Sequence, residues 1–316
     1  MNTPILTITL NPTVDLATKA ASVDPGPKLR CEEPSIEPGG GGVNVARAIA
    51  ILGGKSDVFM AAGGPTGDHL EALLRRVNGL FLHRFEAPGE TRQSFAVTER
   101  ETGDQYRFVM PGPSWRPADE EKVLESIAAL APAQGYVVLS GSQPPGISPE
   151  FPARLAGALP NETSLIVDTS GGPLHHSAAS RHPPFAILRM DQAEAEELAA
   201  CPLVDVAASA RFARALVDNG VARAIVVARG KEGSILATSD AQMFCASPDV
   251  PVRSKIGAGD SFVGAMVLSL VQGHDISIAL CKGTAAASAA VMTDSTRLCL
   301  RADVERLAKD CVAQPL

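Results

Sequence analysis

Short apolar runs recur along the chain, each closed by a glycine or proline turn and followed by a segment of helical periodicity. Ile5–Leu10 (ILTITL), Val58–Ala62, Tyr136–Ser140 (YVVLS), Leu165–Asp168 (LIVD), Ala186–Arg189 and Ala224–Ala228 (AIVVA) are read as buried strands. Continuous runs of this kind suit strands covered on both faces. Helical spacing falls between most of them, at Gly67–Val77, Ala118–Leu130 and Asp191–Ala200. Gly42–Leu52 places Val43, Ala46, Ala50 and Ile51 near one helix face, and Gly259–Gly273 and Ile276–Met292 are Ala-rich and helical throughout. Strands alternating with helices predict βαβ units and a mainly parallel sheet, an α/β fold.

Two stretches break the rhythm. Val14–Pro38 and Thr91–Met110 hold short alternating runs such as RQSFAVTE without intervening helices. Alternation predicts half-exposed antiparallel strands, so a small sheet should stand off the main body. The first stretch lies between the first strand and its helix, which suits a flap over the strand C-terminal edge. Ligands of open α/β sheets bind at that edge.

At 316 residues the chain is about twice the soft prior for one domain, so one large domain with an elaboration fits as well as two. Hydrophobic residues at 45% are enough for a sizeable core. Lys and Arg number 28 against 35 Asp and Glu, a net charge of −7, and no basic block appears. Nucleic acid as main partner is therefore disfavoured, though a few local cations can still bind a small anion. Aromatics at 4% disfavour base-stacking platforms. The six cysteines are widely spaced without a CxxC pair and imply neither a disulfide framework nor a zinc site, only reduced thiols. The N-terminal MNTPILTITLNPTVD lacks a basic leader pattern and no apolar run spans a membrane, so a cytoplasmic location is expected.

Candidate chemistry concentrates in two glycine-rich segments. Ile256–Ser261, IGAGDS, opens a helix, where small residues let N–H groups converge and the helix N-terminus favours an anion. Asp260 in that turn is either a base for an attacking hydroxyl or an ordinary N-cap, and the hexapeptide leaves both open. Glu37–Gly54, EPGGGGVNVARAIAILGG, carries consecutive glycines that permit close backbone approach, with Asn44 and Arg47 at the following helix start. Neither segment has dinucleotide or P-loop spacing. Lys28, Arg30, Arg92 and Arg107 all lie on the two irregular stretches and suit a phosphate, although each alone reads as a surface charge. Ser140 and Ser142 end the strand YVVLS, and Asp168 and Glu194 could hold a metal through water or serve as helix caps.

Taken together, these segments resemble the ribokinase-like (PfkB-type) carbohydrate kinases, from TLNPTVD (Thr9–Asp15) to TRLC (Thr296–Cys299). GPKLRC (Gly26–Cys31), PGGGGVNVARAIA (Pro38–Ala50), YRFVMPG (Tyr106–Gly112) and STRLC (Ser295–Cys299) are narrower and most similar to the minor-isozyme type of bacterial 6-phosphofructokinase. The resemblance implies a three-layer fold spanning 1–316 as one kinase domain, with a β lid drawn from about 14–38 and 91–110. It implies transfer of the γ-phosphoryl group of ATP to the 1-hydroxyl of fructose 6-phosphate with Mg²⁺, and a homodimer paired through the lids. Kinases of tagatose 6-phosphate or fructose 1-phosphate, and a non-catalytic sugar-phosphate binder, are the alternatives. By position, Asp260 would be the base and Gly257, Ala258 and Gly259 the anion hole. Asp15, Gly40, Gly41 and Asn44 would hold sugar hydroxyls. Lys28, Arg30 and Arg92 would hold the sugar phosphate with Ser140 nearby. Glu194, with Asp168, would act on Mg²⁺ through water.

On the nucleotide side the resemblance assigns Arg189, Asp191, Ala228, Gly230 and Gly233, and here the chain departs from the family. Arg189-Met190-Asp191 stands where Lys-Pro-Asn is usual, and Ala228-Arg229-Gly230 loses a hydroxyl. Arg253-Ser254-Lys255-Ile256 precedes GAGD where a monovalent-cation site often forms, and Lys255 is a candidate to supply that charge.

Overall fold

The computed structural model describes residues 4–179, 182–294 and 296–316; Ser295 of the STRLC segment thus lies outside the described residues. The chain opens with β1 (Ile5–Thr9), β2 (Thr13–Ala20), β3 (Ser35–Gly39), α1 (Gly41–Ile51), β4 (Ser56–Ala62), α2 (Gly64–Leu74) and β5 (Leu80–Glu86). Next come β6 (Arg92–Glu99), β7 (Gln105–Val109), α3 (Pro117–Leu130), β8 (Gly135–Ser140), α4 (Phe151–Ala158), β9 (Thr163–Asp168) and α5 (Gly171–Ala179). They are followed by β10 (Phe185–Asp191), α6 (Gln192–Ala199), α7 (Val206–Asp218), β11 (Ala222–Ala228), β12 (Gly233–Thr238) and β13 (Gln242–Ala246). The chain closes with α8 (Ala258–Val271), α9 (Ile276–Val291), α10 (Arg301–Leu307) and β14 (Ala313–Pro315).

One ten-stranded sheet runs in the order β14-β13-β12-β11-β10-β9-β8-β1-β4-β5. From β11 to β5 every pairing is parallel, and β12, β13 and β14 add an antiparallel edge. The central strands β1, β8 and β9 are apolar on both faces, as strands covered by helices on either side must be. On one face Val123, Phe151, Leu155, Leu174 and Leu216 of the helices α3, α4, α5 and α7 meet Leu6, Ile8, Leu139 and Val167. On the other, Val45, Ala48 and Ile49 of α1 pack with Phe262, Met266 and the Ala-rich face of α9 against Ile5, Val138 and Ile187. The architecture is three-layered.

The two irregular stretches form a second sheet, β3-β2-β6-β7. Its outer pairs are antiparallel, but β2 and β6 run parallel, from Thr13 opposite Arg92 to Ala20 opposite Glu99. The parallel centre follows from connectivity: α1, β4, α2 and β5 intervene between β3 and β6, so β6 need not return as a hairpin partner of β2. Register puts Thr13, Asp15, Arg92, Ser94 and Arg107 on one face, while Ile36, Leu16, Phe95 and Phe108 form a row across all four strands on the other.

Candidate active site

α1 starts hard against the ends of β1 and β8. A Cβ on Gly41 would sit 2.4 Å from the backbone N of Gly141, and one on Gly42 2.3 Å from the carbonyl of Ile8. The glycine run is therefore a packing requirement that brings the helix start onto the strand ends. It also delivers Asn44 to the site. Arg47 donates to the Pro38 carbonyl (2.7 Å) and to Asn44 Oδ1 (3.1 Å), and pairs with Glu37. With Oδ1 so engaged, Asn44 turns Nδ2 toward Asp260 and donates to its Oδ2 at 2.9 Å.

Asp260 is in the first turn of α8, whose N-cap is Gly257 at φ 73°, a left-handed conformation suited to glycine. The side chain of Asp260 bonds Asn44 and caps nothing, so the N-cap alternative falls. It faces a cavity of about 350 Å³ between the strand ends and the small sheet. Crowding by protein and the nearby Asp168 push its carboxyl up to about 7, against the pull of Asn44 and Arg189.

The cavity walls gather Asp15, Gly40, Gly41, Asn44, Arg92, Asp168, Arg189, Gly257, Gly259 and Asp260 from the expected residues. Burial raises the Asp15 carboxyl above its ordinary value, while Arg92 and Arg107 pull it back. Arg92 is fixed by donating to the Asn11 carbonyl (3.1 Å through Nη2) and the Met110 carbonyl (3.1 Å), across from Asp260's wall. Arg107, Thr13, Ser94, Ser142, Lys255 and Thr296 also line the cavity. Of these, Thr13 and Thr296 lie inside the segments TLNPTVD and STRLC, yet the sequence assigns no role to them or to Ser94; Thr13 and Ser94 follow from strand alternation once the register is known.

Some expected residues lie elsewhere. Lys28 and Arg30 are exposed on the segment between β2 and β3 and do not line the cavity, because that segment extends outward from the small sheet. Ser140 is buried and donates to Asp168 (3.1 Å); one turn of the pleat further, Ser142 is the serine that faces the cavity. Ala258 sits between Gly257 and Gly259 in the same turn without lining the cavity. Asp191 pairs in register with Ala228 at the same sheet edge, but Asp191, Glu194, Ala228, Gly230 and Gly233 stand outside the cavity wall. Arg229 turns inward to the Leu203 carbonyl (2.7 Å) and Ser209 (2.6 Å).

Asp191 and Glu194 form a reciprocal capping box on α6: Glu194 N donates to Asp191 Oδ1 (2.9 Å) and Asp191 N to Glu194 Oε2 (2.8 Å). Burial raises the Glu194 carboxyl. Arg189 donates to Asp168 (3.1 Å) and lies against Gly259, leaving a buried Nε without a hydrogen-bond partner. Among the described residues no group of three His, Cys, Asp or Glu side chains forms a metal cage. Carboxylate oxygens at Asp168 and Glu194 suit instead a Mg²⁺ that keeps most of its waters and phosphate ligands. Nor is any described helix long and apolar enough to cross a membrane.

A three-layer α/β body, a β flap and a carboxylate at a glycine-bounded helix start define a sugar-kinase architecture. The model of the pfkB family carbohydrate kinases matches residues 7–303, and the chain belongs to that family. It is 38% identical over 303 residues to the ATP-dependent 6-phosphofructokinase isozyme 2 of Mycobacterium tuberculosis, covering 96% of this chain and 88% of that one. The Escherichia coli isozyme 2 is likewise 38% identical over 304 residues, covering 96% and 97%. Phosphofructokinase-2 from E. coli in complex with potassium superposes with a TM-score of 0.91 at 36% identity, covering 98% of this chain and 99% of that one.

Proposed function

We propose that the protein transfers the γ-phosphoryl group of ATP to the 1-hydroxyl of fructose 6-phosphate. The observation that carries this reading is the placement of Asp260: at the start of α8, hydrogen-bonded to Asn44, facing a cavity whose far wall presents Arg92 and Arg107. Arg92 and Arg107 bind the sugar phosphate, and Asp15 and Asn44 orient the hydroxyls. The sugar oxygen attacks the γ-phosphorus, its proton passes to the Asp260 carboxylate, and the bond to the ADP oxygen breaks. N–H groups of the Gly257–Gly259 turn and the Arg189 guanidinium take up charge on the phosphoryl oxygens. Asp168 and Glu194 would hold Mg²⁺ through water, and the ion would supply charge neutralisation on the phosphates.

The chain is one kinase domain, residues 1–316, with the β3-β2-β6-β7 sheet as its lid, working in the cytoplasm. Ile36, Phe95 and Phe108 in the row across the outer lid face are 42%, 39% and 50% exposed, and a second lid covers them in a homodimer. Lys28 and Arg30 reach the phosphate only through lid movement or from that second lid. Lys255 supplies positive charge on the cavity wall in place of a monovalent cation.

ATP consumption measured across fructose 6-phosphate, tagatose 6-phosphate, fructose 1-phosphate and free sugars tests this, each assayed in K⁺ and in a bulky organic cation. The expected result is fastest turnover with fructose 6-phosphate, equal in both salts. Turnover with a free sugar alone contradicts the substrate, and sugar-phosphate binding with no turnover contradicts the kinase. Strong K⁺ activation contradicts the role of Lys255.

A further inference from the structure

Behind the cavity wall a chain of four polar side chains ends at Asp260. Glu37 on β3 pairs with Arg47 on α1, and Arg47 Nη1 donates to the Pro38 carbonyl (2.7 Å) and to Asn44 Oδ1 (3.1 Å). Asn44 Nδ2 donates onward to Asp260 Oδ2 (2.9 Å). Asn44 and Arg47 are three residues apart on α1 and so share one helix face, which is why their side chains meet. The Arg47 and Glu37 side chains are only 14% and 20% exposed, and neither residue lines the cavity. Both stand behind the residues that face the substrate.

Taking Asp260 as the base, which rests on the function proposed for this site, we propose that Arg47, held by Glu37, is a positioning residue that fixes the Asn44 amide in the one orientation that donates to Asp260. Donor and acceptor chemistry alone selects that orientation. A guanidinium offers only donors and an ionised carboxylate only acceptors. An amide placed between them satisfies both in a single way, with Oδ1 toward Arg47 and Nδ2 toward Asp260.

An amide locked this way supports the ionised carboxylate and cannot serve the protonated one. Turned over, it would bring Oδ1 to face Asp260, where a carbonyl oxygen repels a carboxylate but accepts a hydrogen bond from the neutral acid. That second arrangement stabilises a form of Asp260 that already holds a proton and so cannot take one. Arg47 closes it off by keeping Oδ1 occupied. Glu37 and the Pro38 carbonyl hold the guanidinium from the β3 side, so it does not swing away with Asn44. An arginine outside the cavity thereby decides whether the base inside it is ready. Its charge has a second neighbour: burial raises the Asp15 carboxyl, and Arg47, after Arg92 and Arg107, counters that rise. The two effects separate in kinetics, since Asp15 faces the sugar and Asp260 the transferred proton.

The test measures kcat and KM for fructose 6-phosphate in the unaltered chain, Arg47→Met and Arg47→Lys, each also combined with Asp260→Asn. Arg47→Met keeps the length of the side chain and deletes its donors. Its kcat should fall by about 10- to 10²-fold, the cost of a misplaced reacting group, with KM little altered. Arg47→Lys should recover most of that loss, because an ammonium also only donates. With Asp260→Asn no base remains to be oriented, and Arg47→Met should then change the residual kcat by less than about twofold. An equal loss with and without Asp260 would overturn the proposal by making Arg47 merely structural. Unchanged kcat would overturn it too, as would a rise in KM alone, which would place the role of Arg47 at Asp15. Each of these outcomes, with the unaltered chain active, leaves the kinase reading standing; an unaltered chain without turnover overturns that reading and the Arg47 role together. If Arg47→Met fails to fold, Glu37→Gln decides, since it loosens the guanidinium but leaves it in place: kcat should fall several-fold, and an unchanged kcat would overturn the proposal.

Discussion

A carboxylate deep in a protein resists ionisation, and Asp260 shows the consequence for both rate and stability. With its carboxyl at about 7 against an ordinary 3.8, the folded state holds a proton that the unfolded state releases between those values. Stability should therefore fall as pH rises from about 4 to about 7 and level off above. Asp260→Asn removes this penalty, so its melting temperature should exceed that of the unaltered chain at pH 8 and match it near pH 4. The kcat/KM of the unaltered enzyme should climb with pH through about 7, as a base must lose its proton to act. A stability difference independent of pH would contradict this. Arg92 and Arg107 offer a second check. Charge-assisted contacts are worth roughly 1.5–3 kcal/mol, so removing either should raise KM for fructose 6-phosphate about tenfold or more. The motif match alone gave Arg107 no role; its position came from pairing in register with Ala96 on the cavity-facing side of the lid. Residues inside contiguous motifs, such as Gly40, Gly41, Asn44 and Asp260, could be located from sequence because the local turn dictates them. Lys28 and Arg30 could not, since no spacing fixes where an extended segment carries a side chain. Ser140 and Ser142 differ by one pleat repeat and a turn, which a strand end does not specify.

At the level of elements, buried strands announced themselves by apolar runs, whereas β5 (LFLHRFE) is a half-exposed edge strand whose His83 and Arg84 interrupt the pattern. The antiparallel strands β12 and β13 were equally silent, because an edge extension needs no helix between its strands. The capping box of α6 shows how one residue can answer two demands. Asp191, a departure from the family pattern, serves here as the N-cap of α6. Glu194 is also committed to the cap, yet its half-buried carboxylate remains available to a hydrated cation. Glu194→Gln keeps an oxygen to accept from Asp191 N while deleting the charge. It should leave the melting temperature within about 1 °C, as surface-level effects do, and raise the Mg²⁺ concentration giving half-maximal activity several-fold. If both quantities stay unchanged, Glu194 is a cap and nothing more.

For the whole molecule, the large sheet supplies one wall of the cavity and the small sheet the other. Strand alternation gave the lid its two characters, a polar inner face with Asp15, Arg92 and Arg107 and an apolar outer row. Its existence was visible in the sequence, but the parallel β2–β6 pairing was not, because parallel pairing depends on what the intervening chain does. The outer row makes the assembly testable. Phe108→Asp places a charge at the β7 end of the proposed lid–lid contact and should shift the protein from dimer to monomer in analytical ultracentrifugation. A variant that sediments unchanged would place the interface elsewhere.

The central claim is that Asp260 removes the hydroxyl proton, and single-turnover kinetics of Asp260→Asn measure it most directly. Asparagine keeps the shape and can still meet Asn44, but cannot accept the proton. Positioned proton transfer contributes roughly 10²–10⁴ in rate, and the rate of the chemical step should drop by that factor with fructose 6-phosphate affinity by calorimetry little altered. A variant that keeps near-full rate would show that another group takes the proton and that Asp260 serves only to hold Asn44.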